Sequence, residues 1–430
     1  MRARILIVGG GVMGTAIALK AAQRADPLSQ PVVLLERSEL AAGSSGRSGA
    51  ILRQLYADPE VAVMARESLR EYAGFETRTL RPIGFRRTGV LSLAGPAEPE
   101  WIERLERMIA DLISIGIEIQ RVEADEIRKI LPGVRVHAET IGAWEQGGGV
   151  VDPRKTVDAF AALARTYGAI TRIGAGVRAI VVEGGCVARV ETDEGVYEAE
   201  QVVICAGPWS RRLLADAGVD LPLRVVRPEN HFLGLPTSYR DVDALEGDEE
   251  SPESGVDLED PLEKISEQLS GPEQVEGNAH PVLIDLEAGF YARCEATEHR
   301  TRVGRVDYDH DDILEDPDEL DEDVTDELRT WAREALCNRM PVYQREADLD
   351  SLAAWYTLTP DAQAIIGPVP GVEGLYVVTG FSGHGFKLAP SVGEGVAQML
   401  FGETVSAFDP DFFSPARFAG AEKWTGAFGL

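Results

Sequence analysis

Positive charge is what this chain has least of. Its 42 basic residues face 72 acidic ones, giving a net charge of −30 and an isoelectric point near 4.6. Surfaces that bind nucleic acid or anionic membrane work by attracting phosphate, so neither partner is expected. Lysine is scarcer still: only Lys20, Lys129, Lys155, Lys264, Lys387 and Lys423 occur, and the other basic residues are arginines. Two causes fit, a GC-rich codon bias behind a well-solvated surface or a high-salt cytoplasm that screens self-repulsion. Cysteine is rare too. Cys186, Cys205, Cys294 and Cys337 show no C-x-x-C spacing and no paired His-Cys cluster, which argues against structural zinc and for free thiols in a reducing compartment. No metal centre is expected. No apolar run is long enough to span a bilayer, and the first apolar run begins within a few residues of Met1. An integral membrane segment and a signal peptide are therefore not expected, and a cytoplasmic location is.

What the chain does have is concentrated at its two ends. Arg4 to Val8 reads as a strand buried on both faces, and Gly9-Gly10-Gly11-Val12-Met13-Gly14 follows with G-x-G-x-x-G spacing. Gly9 serves the tight turn, Gly11 close approach of a pyrophosphate, and Gly14 packing of helix on strand. Val12 to Ala25 reads as the helix, its free N–H groups and positive dipole end facing phosphate. A second strand, Val32 to Leu35, ends in Glu36, whose carboxylate is spaced to accept from a ribose diol. This pattern announces a dinucleotide, without choosing between FAD and NAD. Beyond Arg37, the loop Gly43-Ser44-Ser45-Gly46-Arg47-Ser48-Gly49 offers backbone donors, hydroxyls and Arg47 to an anionic ligand.

The middle of the chain changes rhythm. Residues 51–82 read as helix, 84–92 as strand and 97–116 as amphipathic helix. Residues 141–144 then read as strand, and Asp152-Pro153 starts a helix running to Tyr167. Alternating segments follow at 177–182, 186–192 and 201–206; Val177 and the Ala206-Gly207 strand end are expected to border the nucleotide. Asp241 to Glu263 contains no Lys or Arg and reads as an exposed insertion, placed at about 238–280; a second acidic run, Asp307 to Glu327, reads as solvated surface. Phe290 to Arg293 and Thr301 to Arg305 read as strands of a largely antiparallel sheet. The fold class expected is α/β, a Rossmann-like nucleotide domain (1–84, 150–220, 360–430) with an inserted substrate domain (85–149, 221–359).

A third glycine loop, Gly380-Phe381-Ser382-Gly383-His384-Gly385-Phe386-Lys387, follows the strand 375–379 and opens a helix reaching about Gly402. With Tyr356 upstream, this stretch resembles the FAD-dependent family of sarcosine oxidase, glycine oxidase and D-amino-acid oxidase, and most closely the sarcosine oxidase branch. The resemblance spans nearly the whole chain apart from the acidic insertion. It implies FAD, bordered also by Gly383, His384, Gly385, Phe386 and Lys387. It implies a substrate carboxylate held by Arg53 and Lys387, with Tyr291 and Tyr356 beside the amine and His384 next to the flavin. Where relatives with covalent flavin carry a cysteine or histidine, this chain has Ala354 and Gly46-Arg47, so the FAD is expected to be non-covalent. Where sarcosine oxidase uses a lysine to activate O₂, this chain has Arg302, which leaves open O₂, a quinone or a carrier protein as electron acceptor.

The expected reaction is oxidation of the C–N bond of a small amino acid or N-methyl amino acid. An FAD-linked 2-hydroxy-acid dehydrogenase, with His384 as base, and a flavin-containing assembly or electron-transfer subunit with a partner subunit are the alternatives.

Overall fold

The computed structural model describes residues 1–239, 279–307 and 311–418; the acidic stretch 241–263, and with it nearly all of the expected insertion, lies outside them. Arg2–Val8 runs through the middle of the first sheet, with Gly195–Ile204 on one side and Val32–Glu36 on the other, all parallel. Leu375–Thr379 and Ile170–Ile173 extend it in the same direction, and Ile365–Pro368 closes one edge antiparallel. Alternation along the first strand divides its side chains between two cores. Ile5 and Ile7 join the helices Val12–Ala22, Pro153–Thr166 and Gly385–Leu400, while Leu6 and Val8 meet the meander Val177–Glu183/Cys186–Thr192 and the helix Ser210–Asp216. Coverage on both faces is why this strand is apolar from Ile5 to Val8.

Among the described residues the second sheet has eight strands, in the order 348–353, 229–234, 300–305, 290–295, 282–285, 90–94, 141–145, 120–123. It is antiparallel except where Val90–Ala94 meets Val282–Asp285, as the sequence rhythm leads one to expect. Together the two sheets give the expected α/β class. No helix among the described residues is long and apolar enough to cross a membrane.

Several expected elements have different limits. The helix expected over 51–82 begins only at Pro59, where the Asp58 side chain accepts from Glu60 N at 2.9 Å; Ile51–Leu52 instead pairs with Gly149–Val150. A carboxylate N-cap followed by proline is a strong local start signal, and it overrides the apolar spacing upstream. The strand expected over 84–92 runs from Val90 to Ala94, because Gly84 and Gly89 take φ of +67° and +71° and break the extended run. The first helix ends at Ala22 rather than Ala25. Asp318, within the second acidic run, is not merely solvated: it accepts from Trp209 Nε1 at 2.7 Å and pairs with Arg37 and Arg212.

The C-terminal helix carries Pro390 as its sixth residue, a position that lacks the N–H normally donated to Phe386 O. Tyr72, fully buried, supplies the replacement, its hydroxyl donating to Phe386 O at 2.7 Å while its ring stacks on Phe386 and Phe160. The turn next to Lys387 is thereby anchored to the helix Pro59–Ala73.

Candidate active site

The glycine turn is built so that no side chain fits. A Cβ on Gly9, whose φ is +115°, would stand 2.4 Å from Cys205 O, and one on Gly14 would stand 1.9 Å from Gly9 O. Strand, turn and helix therefore touch through backbone alone, which exposes the helix N-terminus. Gly10 N and Ser38 N each donate to Glu36, both at 2.8 Å, and fix its carboxylate where it lines a cavity with spare lone pairs. Gly9, Gly11, Arg37, Ser44, Ser45, Val177, Ala206 and Gly207 line the same cavity. Arg37 lies over the Trp209 ring at 4.6 Å. Trp209 and Arg212 also line this cavity; the Gly207-Pro208-Trp209 turn after a buried strand was the available sequence signal for them.

A second cavity continues from the first. The two share Gly11, Ser44 and Ser45, and Val12, Met13, Ser48, Tyr356, Gly383, Gly385 and Phe386 line the extension. Ser45 Oγ accepts from Val12 N at 3.0 Å, tying the serine loop to the first helix. The channel so formed runs from Glu36, past one helix N-terminus, to the N-terminus of the C-terminal helix. An elongated dinucleotide with phosphates in its middle suits this shape and donor set. Arg47 stands apart, because its guanidinium donates to Ala353 O at 2.8 Å, pairs with Glu322 and lies over Trp355.

A third cavity shares Ser48, Tyr356, Gly383 and Phe386 with the second and brings together Arg53, Lys387, His384, Tyr291 and Tyr356. Arg53 is 4% and Lys387 8% exposed. Arg53 donates to Leu55 O and lies over the Tyr56 ring at 4.3 Å. Burial, then Arg53, holds the Lys387 amine well below the ordinary lysine range. His384 Nδ1 lies 3.3 Å from Tyr56 Oη, and burial together with Lys387 and Arg53 keeps the imidazole well below its usual range, hence neutral. Tyr291 donates to Asn230 Oδ1 at 3.3 Å. Arg305 also borders the cavity, but strand alternation sends its guanidinium to the opposite face, over Trp331 at 3.9 Å.

Arg302 does not line this third cavity. Its Nε bonds Glu295 at 2.8 Å, and its Nη1 donates to Asn230 Oδ1 and Arg47 O. Burial would raise the Glu295 carboxyl, but Arg302, Arg293 and Arg300 draw it down to about 2. Sequence reasoning missed Glu145 and Tyr56. Tyr56 meets His384, and Glu145, fully buried, acts electrostatically on both Arg53 and Lys387.

The chain resembles proteins of known activity along nearly its whole length. Mitochondrial dimethylglycine dehydrogenase of Mus musculus is 26% identical over 434 residues, which cover 99% of this chain and 45% of that protein. This chain therefore spans about half the length of that relative. Peroxisomal sarcosine oxidase of Homo sapiens is 27% identical over 421 residues, covering 96% of this chain and 95% of that protein. Among solved structures, L-proline dehydrogenase from P. horikoshii has a TM-score of 0.80 at 22% identity, covering 98% of this chain and 99% of that one. Glycine oxidase from Geobacillus kaustophilus has a TM-score of 0.77 at 21% identity, covering 97% of this chain and 100% of that one. The family model described as FAD dependent oxidoreductase matches residues 4–253 and 262–399, and with the cradle, channel and cavity just described, the chain belongs to that family of FAD-dependent flavoproteins.

Proposed function

We propose that this protein oxidises the C–N bond of a small amino acid or N-methyl amino acid, yielding an imine that water hydrolyses. One observation carries the reading: Arg53 and Lys387, from opposite ends of the chain, are both buried and line one small cavity beside the flavin channel. A buried guanidinium and a buried amine in a confined space suit a carboxylate, and the relatives named above act on dimethylglycine, sarcosine, proline and glycine, all small carboxylate-bearing amines. FAD, when bound, supplies the acceptor for the hydride leaving the carbon next to nitrogen. Arg53 and Lys387 hold the carboxylate and so orient that carbon. Tyr291 and Tyr356 wall the amine end. The positive end of the helix Gly385–Leu400 favours negative charge in the channel by up to about 2 kcal/mol.

We read 1–84, 150–220 and 360–430 as the part that holds FAD and 85–149 with 221–359 as the part that shapes the substrate site. Non-covalent FAD is supported by Ala354, Gly46 and Arg47 at the positions where a covalent link would need cysteine or histidine. A cytoplasmic location, the electron acceptor and a partner subunit belong to the same proposal. The alternative with a 2-hydroxy acid as substrate draws on one observation, the position of His384 in the cavity as the imidazole that could take a hydroxyl proton.

Mixing the FAD-loaded protein anaerobically with N-methylglycine or proline is expected to bleach the flavin, and lactate or 2-hydroxyglutarate to leave it yellow. Bleaching by the hydroxy acids alone would reverse the assignment, and bleaching by none would favour the electron-transfer subunit. Admitting air afterwards separates oxidase from dehydrogenase by the speed of re-oxidation. Acid precipitation of the same sample is expected to leave the yellow colour in the supernatant.

A further inference from the structure

The segment that brings Arg53 to the third cavity is held by a buried acid that a carboxylate clamp does not need. Glu145, at the end of the strand Ile141–Glu145, is fully buried. One carboxylate oxygen accepts from Gln54 N and the other from Leu55 N at 3.3 Å, so it grips the two residues that follow Arg53. Arg53 in turn donates to Leu55 O and covers the Tyr56 ring. The charged and titratable groups that act on Glu145 through space are Arg53 and Tyr56 from this loop and Lys387 from the C-terminal helix, and His384 meets Tyr56. The paired strand sets Val90 opposite it and adds no charge. Burial pushes the carboxyl up, while the amide of Gln54, the Arg53 guanidinium and the amide of Leu55 oppose that, leaving it at about 7. Its ionised form therefore depends first on the Gln54 amide and next on the Arg53 guanidinium, the charge that a substrate carboxylate would also draw on.

We propose that Glu145 positions the Arg53 segment and competes with the substrate's carboxylate, giving up its charge by taking one proton from solvent when an anionic ligand enters between Arg53 and Lys387. The proposal rests on the clamp reading and deepens it: the ligand that binds is a carboxylate together with a proton. The sign follows from linkage. A second anion raises the Glu145 pKa above its free-state value, so affinity is full below the free-state value and declines as pH rises above it. Lys387, held low by burial, is the rival acceptor for that proton.

The test uses the FAD-loaded protein titrated with acetate between pH 6 and 9 and followed by flavin absorbance, with acetamide as uncharged counterpart. The Kd for acetate is expected to be flat below about pH 7 and to rise about tenfold per pH unit above it, while that for acetamide stays flat. Calorimetry at pH 8, in buffers of different ionisation heat, is expected to report about one proton taken up per acetate bound. In Glu145→Gln the acetate Kd is expected to be flat, about tenfold tighter than wild type at pH 8, with no proton uptake. Absence of uptake in the wild type overturns the proposal whether or not the variant folds, and uptake that persists in Glu145→Gln overturns it in favour of Lys387. Failure of the clamp reading looks different: acetate would then bind Arg53→Met and Lys387→Met as tightly as wild type, and the proposal would fall with it.

Discussion

Replacing Lys387 by methionine is expected to lower kcat/KM for carboxylate-bearing amines by about a hundredfold, close to 2.7 kcal/mol of lost transition-state binding. The reason is specific to where the amine sits. Lys387 is 8% exposed, so a substrate carboxylate meets it with little water to screen the charge. Stability should move the other way or not at all, since methionine keeps the volume and removes an amine whose charged form burial disfavours. Arg53→Met should cost similar activity and some stability as well, because the guanidinium also bonds Leu55 O and covers Tyr56. Arg302→Met gives the contrast. It strips donors from Glu295, Asn230 and the Arg47 carbonyl, so it should cost about 2 kcal/mol of stability and leave carboxylate affinity nearly intact. Steady-state kinetics, acetate titration and thermal melts on the three variants check this pattern.

The second large effect belongs to the cradle. Gly14→Ala puts a Cβ 1.9 Å from Gly9 O, against backbone that cannot step aside without parting helix from strand. The expected product is colourless, retains no FAD on gel filtration, and is destabilised by about 2 kcal/mol or more. Gly147→Ala is the matched control, because nothing lies within 4 Å of a Cβ there; it should stay yellow and melt within error of wild type. Equal FAD content in the two variants would contradict the role given to Gly14.

The dinucleotide cradle is legible in the sequence because its parts are local. Strand, glycine spacing, helix and Glu36 occupy one short segment, and each glycine's role follows from its place in the turn. The loop around Lys387 is legible for the same reason, as a strand running into glycines and a helix. Glu145 and Tyr56 are not legible. Glu145 gains its meaning only when the register of the second sheet brings residue 145 against the amides of Gln54 and Leu55, and no local pattern encodes that pairing. Tyr56 is hidden within apolar spacing that reads as helix, although the helix waits for the Asp58-Pro59 cap. Arg47, beside an anion-binding loop, and Arg302, at the position where sarcosine oxidase carries a lysine, show the converse, since each reads as a site residue until its partners are known. Glu322 and Trp355 occupy the first, and Glu295 the second.

The central claim is that one small acid is gripped from both ends of the polypeptide at the edge of the flavin channel. A crystal structure of the FAD-loaded protein with acetate tests it most directly. The carboxylate is expected within hydrogen-bonding distance of both the Arg53 guanidinium and Lys387 Nζ, with Tyr291 and Tyr356 around its methyl group. Acetate bound elsewhere, or touching neither cation, would contradict the account.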